Sequence, residues 1–210
     1  MNSSHPVPGA LIVRTLGLVE YEPIWQRMQA FTAARTADTP DEIWLLEHPP
    51  VYTLGIAGKP EHLPRVDNGI PVVRIDRGGQ ITYHGPGQLV AYLMLDMRRR
   101  GLNVRPLVRR MEEAVINLLD DYGIAARGDE AAPGVYVGPA KIAALGLRIK
   151  HGCCYHGLAL NIDMDLSPFH AINPCGYRDL EVTQLRAFGV EDTVDSVAEK
   201  MATHLLEVLP

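Results

Sequence analysis

Three cysteines in 210 residues are too few for a disulfide scaffold, and an odd number leaves at least one thiol unpaired. An excess of positive charge is also missing. The formal net charge is −5, so the chain as a whole lacks the basic footprint of a nucleic-acid binder. No apolar run approaches the roughly 18 residues that a membrane span requires. The start, MNSSHPVPGALIVRTLG, lacks the basic stretch that precedes the apolar core of a secretory signal. No repeat, low-complexity tract or long linker divides the sequence. These absences point to a reduced, cytoplasmic protein that binds neither nucleic acid nor membrane and forms a single domain over residues 1–210.

Enough apolar sequence is present for a core: 47% of residues are hydrophobic, which excludes a disordered chain. ALIVRTLG (10–17) predicts a first strand. YEPIWQRMQAFTAAR (21–35) places Tyr21, Ile24, Trp25, Met28 and Phe31 at helical spacing, with Pro23 in the first turn. EIWLLEHPPVYTLG (42–55) predicts two extended pieces broken by Pro49 and Pro50, and IPVVRID (70–76) another strand. QLVAYLMLDM (88–97) predicts a long buried strand. In VRPLVRRMEEAVINLLDDYG (104–123), Leu107, Met111, Val115, Leu118 and Leu119 recur at helical steps, and Gly123 is a natural stop. Strand patterns follow at 133–138, 141–149 and 153–163. A closing helix over 193–209 has Thr193 or Asp195 as its cap. Strands interrupted by two or three helices, without regular alternation, predict an α+β fold with a mixed, largely antiparallel sheet.

Four constellations carry chemistry. RGGQITYHGPGQ (77–88) sets four glycines and the polar side chains Arg77, Thr82, Tyr83, His84 and Gln88 around a short strand. Paired glycines let a backbone approach a ligand. No G-K-[ST] follows, so it is not a phosphate loop of Walker spacing. The alternative is two ordinary hairpin turns. Lys141 opens a run of small apolar residues in GPAKIAALGLRIKHG (138–152). Buried there, it would lose solvation and exchange protons near neutral pH. At a turn tip it would be a solvated charge, as Lys150 and His151 are expected to be.

Cys175 stands between Pro174 and Gly176, on a bend where a core cysteine does not belong. Access favours a reactive thiol, but a thiolate also needs a nearby cation, with Arg178 and Lys141 the candidates. Cys153 and Cys154 are adjacent in a strand pattern and point to opposite faces, one expected inward and one outward. That geometry argues against a zinc site in HGCCYHG. MRRRGLNVRPLVRR (97–110) is a local basic run, either a solvated face or a dock for an acidic partner.

RGGQITYHGPGQLVAY, KIAALGLRI and NPCGYRDLEVTQL together resemble the lipoyl(octanoyl) transferases of lipoate biosynthesis, and PPVYTLGIAGKPEHL resembles that family's N-terminal segment. The resemblance spans roughly residues 45–190 in one register. It implies a fold similar to the catalytic domains of biotin and lipoate ligases, an α/β sandwich on a mixed sheet. It implies transfer of an octanoyl group from octanoyl-acyl carrier protein to a lysine of a lipoyl domain, on dehydrogenase E2 subunits or the glycine cleavage H protein, without a cofactor or metal. By motif, Cys175 is the acyl-thioester residue and Lys141 the group that lowers its pKa. The acyl-binding segments are Arg77, Gly78, Gly79, Gln80, Ile81, Thr82, Tyr83 and His84, then Ala144, Leu145 and Gly146, then Gly157, Leu158 and Ala159. The competing readings are an ATP-dependent ligase on the same fold, a cysteine hydrolase with His84 or His156 as base, and a Cys/His metal module.

Overall fold

Every residue from Gln88 to Leu95 is buried, which a strand can achieve only at the centre of a sheet covered on both faces. The computed structural model, which describes residues 11–172 and 181–209, places it so. The elements run β1 (Leu11–Leu18), α1 (Tyr21–Ala33), β2 (Asp41–Glu47), β3 (Val51–Leu54), β4 (Val72–Arg74), β5 (Ile81–His84), β6 (Gln88–Asp96) and α2 (Val104–Asp121). Then follow β7 (Arg127–Gly128), β8 (Gly134–Val137), β9 (Ala140–Lys150), β10 (Cys153–Asn161) and α3 (Val194–Val208).

The main sheet has the order β1-β2-β6-β10-β9-β8-β7. Its β1–β2 pair is parallel and its other pairs are antiparallel. A second sheet, β4-β3-β5, pairs β3 with β4 in parallel and with β5 antiparallel. The expected mixed, largely antiparallel architecture is what forms.

Side chains alternate across β6. Leu89, Ala91, Leu93 and Leu95 enter the layer of α2 and α3, with Leu107, Met111, Val115, Leu118, Met201 and Leu205. Val90, Tyr92 and Met94 face the opposite way, toward Ile24 and Met28 of α1. A third cluster joins Tyr52, Leu54, Ile81 and Tyr83 to Phe169 and Ile172 beneath the small sheet. Thr193 caps α3, its Oγ1 accepting the Ser196 N–H at 3.3 Å. The strand expected over 70–76 is shorter, Val72–Arg74, because β4 pairs with β3 over only three residues.

Both Cys153 and Cys154 are buried. They do point to opposite faces, but both faces are covered, so the expected outward thiol does not exist. Cys154 Sγ–H donates to the Leu93 carbonyl at 3.3 Å, and burial raises its thiol to about 12. Burial also pushes the Cys153 thiol up.

Candidate active site

The α1-facing side of β6, β10 and β9 forms cross-strand rows. Gln88 pairs with Asn161, then Val90 with Ala159 and Ala144, then Tyr92 with Gly157 and Gly146. Successive rows lie about 7 Å apart along the strands. Across from them stand Arg77, Gly79, Gln80, Ile81, Thr82 and His84, and the two walls enclose a pocket of about 810 Å³ including its mouth. One end holds Lys141 and Pro133, and the glycine row lies four residues along the strands, beside His156 and Tyr21. The middle row is valine and alanine, small and apolar. Of the expected acyl-binding segments, Ala144–Gly146 and Gly157–Ala159 line this pocket, as do Arg77 and Gly79–Thr82 with His84. Gly78 and Tyr83 do not. Tyr83 turns to the third core cluster, its ring 5.5 Å from Tyr52 and 5.4 Å from Phe169.

The glycine loop is held by the strand beside it. Arg77 donates to the Thr53 carbonyl at 2.7 Å, to Thr53 Oγ1 at 2.9 Å and to the Gly78 carbonyl at 3.0 Å. Gly55, Ile56 and Ala57 N–H groups bond the carbonyls of Gln80, Arg77 and Gly79. A Cβ on Gly55 would collide with the Gly79 carbonyl, so glycine is required where the two segments touch. The Gly78 N–H donates to the Leu147 carbonyl at 2.9 Å and is committed to the fold.

His84 is buried in a run of hydrogen bonds with one direction. Gln88 Oε1 can only accept, so His84 Nδ1 carries the proton and donates at 2.7 Å. Its Nε2 then accepts from Thr53 Oγ1 at 3.4 Å. Gln88 Nε2 donates to Asn161 Oδ1 at 2.9 Å, and Asn161 Nδ2 to the Thr183 carbonyl at 2.9 Å. Thr183 N–H donates to the Lys141 carbonyl at 3.0 Å. The run therefore connects Arg77 to the lysine strand. Burial, with a contribution from His48, lowers His84 to about 3 and keeps it neutral. Burial likewise lowers His48 to about 4, its Nδ1–H donating to the Val19 carbonyl at 2.6 Å.

At the glycine-row end, Asp76 collects hydrogen bonds from Trp25 at 2.9 Å, Gln29 at 3.2 Å, His156 at 3.1 Å and the Tyr155 hydroxyl. Burial works against the carboxylate. The His156, Tyr155, Trp25 and Gln29 bonds outweigh it and hold Asp76 well below the usual range. His156 sits within β10 at φ 64, a left-handed backbone that is strained for a non-glycine residue. Burial lowers its pKa despite Asp76, and its Nε2–H is committed to that carboxylate. Each of the two histidines thus has one ring nitrogen committed to a hydrogen bond within the fold.

Lys141 is 4% exposed, which replaces the turn-tip alternative. Its Nζ donates to the Pro133 carbonyl at 3.3 Å and lies 5.1 Å from the Tyr136 ring centroid. Its backbone N–H donates to the Glu181 carbonyl at 2.8 Å, so the chain that follows Cys175 returns alongside Lys141. Cys175 itself lies outside the described residues. Lys150 and His151 are exposed at the β9–β10 turn, as expected.

The basic run divides. Arg99 and Arg100, with Arg35, surround the buried Asp41 carboxylate, so two of the six arginines of the expected dock are engaged internally. Arg109 pairs with Glu130 on the surface. Among the described residues, no group of three or more histidine, cysteine or acidic side chains could hold a metal ion. No described helix is long and apolar enough to cross a membrane.

Sequence reasoning missed Tyr21, Thr53, Asp76, Tyr92, Pro133 and Asn161. Their positions become functional only through strand register, which residue types do not reveal. Gln88 and His156 were visible as polar residues within strongly apolar runs.

Comparisons with known proteins agree with this geometry. The lipoyl protein ligase A/B catalytic domain family matches residues 20–206. The octanoyltransferase of Azoarcus sp. (strain BH72) is 64% identical over 200 residues, covering 95% of this chain and 88% of that one. The octanoyltransferase of Dechloromonas aromatica (strain RCB) is 62% identical, covering 94% and 96%. Among solved structures, a bipartite lipoate protein ligase from Thermoplasma acidophilum aligns with TM-score 0.72 at 21% identity, covering 97% and 84%. A biotin protein ligase from Aquifex aeolicus aligns at 0.61 and 13%, covering 94% and 70%. These last two likenesses establish the fold. The chain belongs to the lipoyl protein ligase A/B catalytic-domain family and, within it, to the octanoyltransferases.

Proposed function

We propose that the protein carries octanoyl as a thioester on Cys175, taking it from octanoyl-acyl carrier protein and passing it to a lysine of a lipoyl domain. The acceptors are the lipoyl domains of 2-oxoacid dehydrogenase E2 subunits and the glycine cleavage H protein, and the transfer takes place in the cytoplasm. The observation that carries this reading is the pocket itself. Buried Lys141 stands at one end of an apolar trough floored by Val90, Ala144 and Ala159. Its backbone is bonded to Glu181 and Thr183, on the chain that follows the Cys175 segment. A chain attached at the lysine end has about 14 Å of trough before the glycine row. That length accommodates an extended eight-carbon acyl chain.

In the first step the Cys175 thiolate attacks the thioester carbonyl and the bond to the carrier thiol breaks. The Lys141 ammonium gives its proton to the departing thiolate. In the second, the neutral amine of the acceptor lysine attacks the Cys175 thioester. An amide forms, the cysteine thiolate leaves, and Lys141 takes up the amine proton. Thioester exchange costs little free energy, so no nucleotide is consumed. Covalent capture also lets two bulky carriers use one mouth in turn.

Intact-mass measurement after mixing with octanoyl-acyl carrier protein tests this reading. The expected adduct is one octanoyl group on Cys175 that discharges onto a lipoyl-domain lysine. Cys175→Ser should abolish discharge while retaining the fold. Transfer that proceeds in Cys175→Ser at the wild-type rate overturns the reading.

A further inference from the structure

Glu112 is a carboxylate on the buried face of α2, among Met111, Val115 and Leu119, and is 7% exposed. Its Oε1 accepts the Gly134 N–H at 3.1 Å, and the Asp129 backbone N–H bonds the same carboxylate. A Cβ on Gly128 would come within 2.9 Å of its Oε2. One buried side chain therefore holds both ends of the 128–134 loop.

The Gly134 N–H belongs to the same peptide as the Pro133 carbonyl, and that carbonyl accepts Lys141 Nζ at 3.3 Å. A single rigid amide stands between a buried carboxylate and the lysine. The carboxylate polarises the N–H and makes the carbonyl a stronger acceptor, as successive hydrogen bonds do in a low-dielectric interior. Gly134 has φ 153, and a Cβ there would lie 2.8 Å from Lys141 Cε and 3.1 Å from Nζ. Glycine leaves the lysine room to rest on this peptide.

We propose that Glu112 is a positioning residue for the transfer reaction, its charge acting on Lys141 through the Pro133–Gly134 peptide to fix the ammonium and favour its protonated form. The proposal rests on the role given to Lys141 above. Other charged and titratable groups face this pair. Arg109 lies on α2 and pairs with Glu130, Asp129 belongs to the loop and pairs with Arg127, Tyr136 lies on β8, and Glu181 lies on the returning chain. None of these is altered by the variants below.

The test is single-turnover acylation of Cys175 by octanoyl-acyl carrier protein, followed by intact mass from about pH 6 to pH 10, with a urea midpoint for each variant. Glu112→Gln keeps an oxygen for the Gly134 N–H but removes the charge. It should acylate several-fold more slowly, with the alkaline limb of the rate profile moved down by roughly half a unit or more. The exposed neighbour Glu113→Gln changes the net charge equally and should follow the wild type. Glu112→Asp keeps the charge, so its alkaline limb stays in place even where its rate falls. In a Lys141→Ala background, Glu112→Gln should cost nothing further. A wild-type rate and profile in Glu112→Gln overturns this proposal alone. So does an equal loss with or without Lys141, or a limb that moves alike in the Asp and Gln variants. No Cys175 adduct in the wild type overturns the acyl-enzyme reading, and this proposal with it.

Discussion

His84 donates its Nδ1 proton to Gln88 Oε1 at 2.7 Å, and that bond decides what the histidine can do. Its other nitrogen faces the Thr53 hydroxyl, which Arg77 also grips. In the function proposed above, His84 holds the wall of the pocket rather than moving a proton. His84→Gln should lower kcat/KM for the octanoyl donor without altering the shape of its pH profile between about pH 5 and pH 8. An acidic limb that disappears in this variant would return His84 to the role of base.

The buried neutral histidines make stability depend on pH. Unfolded histidine has a pKa near 6.5, whereas His48 and His84 are held at about 4 and about 3. Between those values the unfolded chain binds protons that the folded chain does not. Stability therefore rises with pH across this window and falls as pH drops from about 6.5 toward 4. Each histidine adds up to about 1.4 kcal/mol per pH unit to the slope. Urea denaturation at a series of pH values measures it, and a flat profile over this range would contradict the buried neutral assignment.

Arginines in the 98–110 run separate by function. Arg99 and Arg100 neutralise Asp41, whose side chain is 0% exposed. Hydrogen bonds from the Asp96 backbone and from Arg100, with the charges of Arg100 and Arg35, outweigh burial and lower the Asp41 carboxyl. Asp41→Ala strands buried guanidinium groups and should cost about 3–5 kcal/mol. Arg109→Glu breaks only an exposed pair with Glu130 and should cost less than about 1 kcal/mol. Equal urea midpoints for the two variants would refute this division. The same division makes Arg109, rather than Arg99, the informative site for testing attraction to an acidic carrier.

Acyl length should respond to the middle row. Ala144 and Ala159 face each other across β9 and β10, flanking the path from Lys141 to Gly146. Ala144→Leu fills space that two terminal methylenes would use. At about 0.8 kcal/mol per methylene, the preference for octanoyl over hexanoyl should fall by a factor of about 15. An unchanged ratio of kcat/KM values would place the acyl chain elsewhere.

The fold was legible where periodicity was strong. Leu107 through Leu119 predicted α2 to within two residues at its end, and the unbroken apolar run of β6 marked a strand covered on both faces. The site was legible as segments, because glycine pairs and a lysine before alanines are unusual in a sheet. What joined the segments was not legible. Thr53, Asn161 and Thr183 are ordinary residues until register sets them end to end between Arg77 and Lys141. Cys153 misled because alternation gives direction but does not say whether a helix covers the far face. Glu112 carried a signal that went unused, a carboxylate at helical spacing with Val115 and Leu119.

In β6 two separate sets of demands occupy alternate letters of one word. Leu89, Ala91, Leu93 and Leu95 answer to the α2–α3 layer, whereas Gln88, Val90 and Tyr92 answer to the pocket. Changes at the second set can retune what the trough accepts while the α2–α3 layer stays intact, within the limit that Val90 and Tyr92 also pack in the α1 cluster. A single-residue deletion or insertion there forces both sets to fail together, because it exchanges their faces.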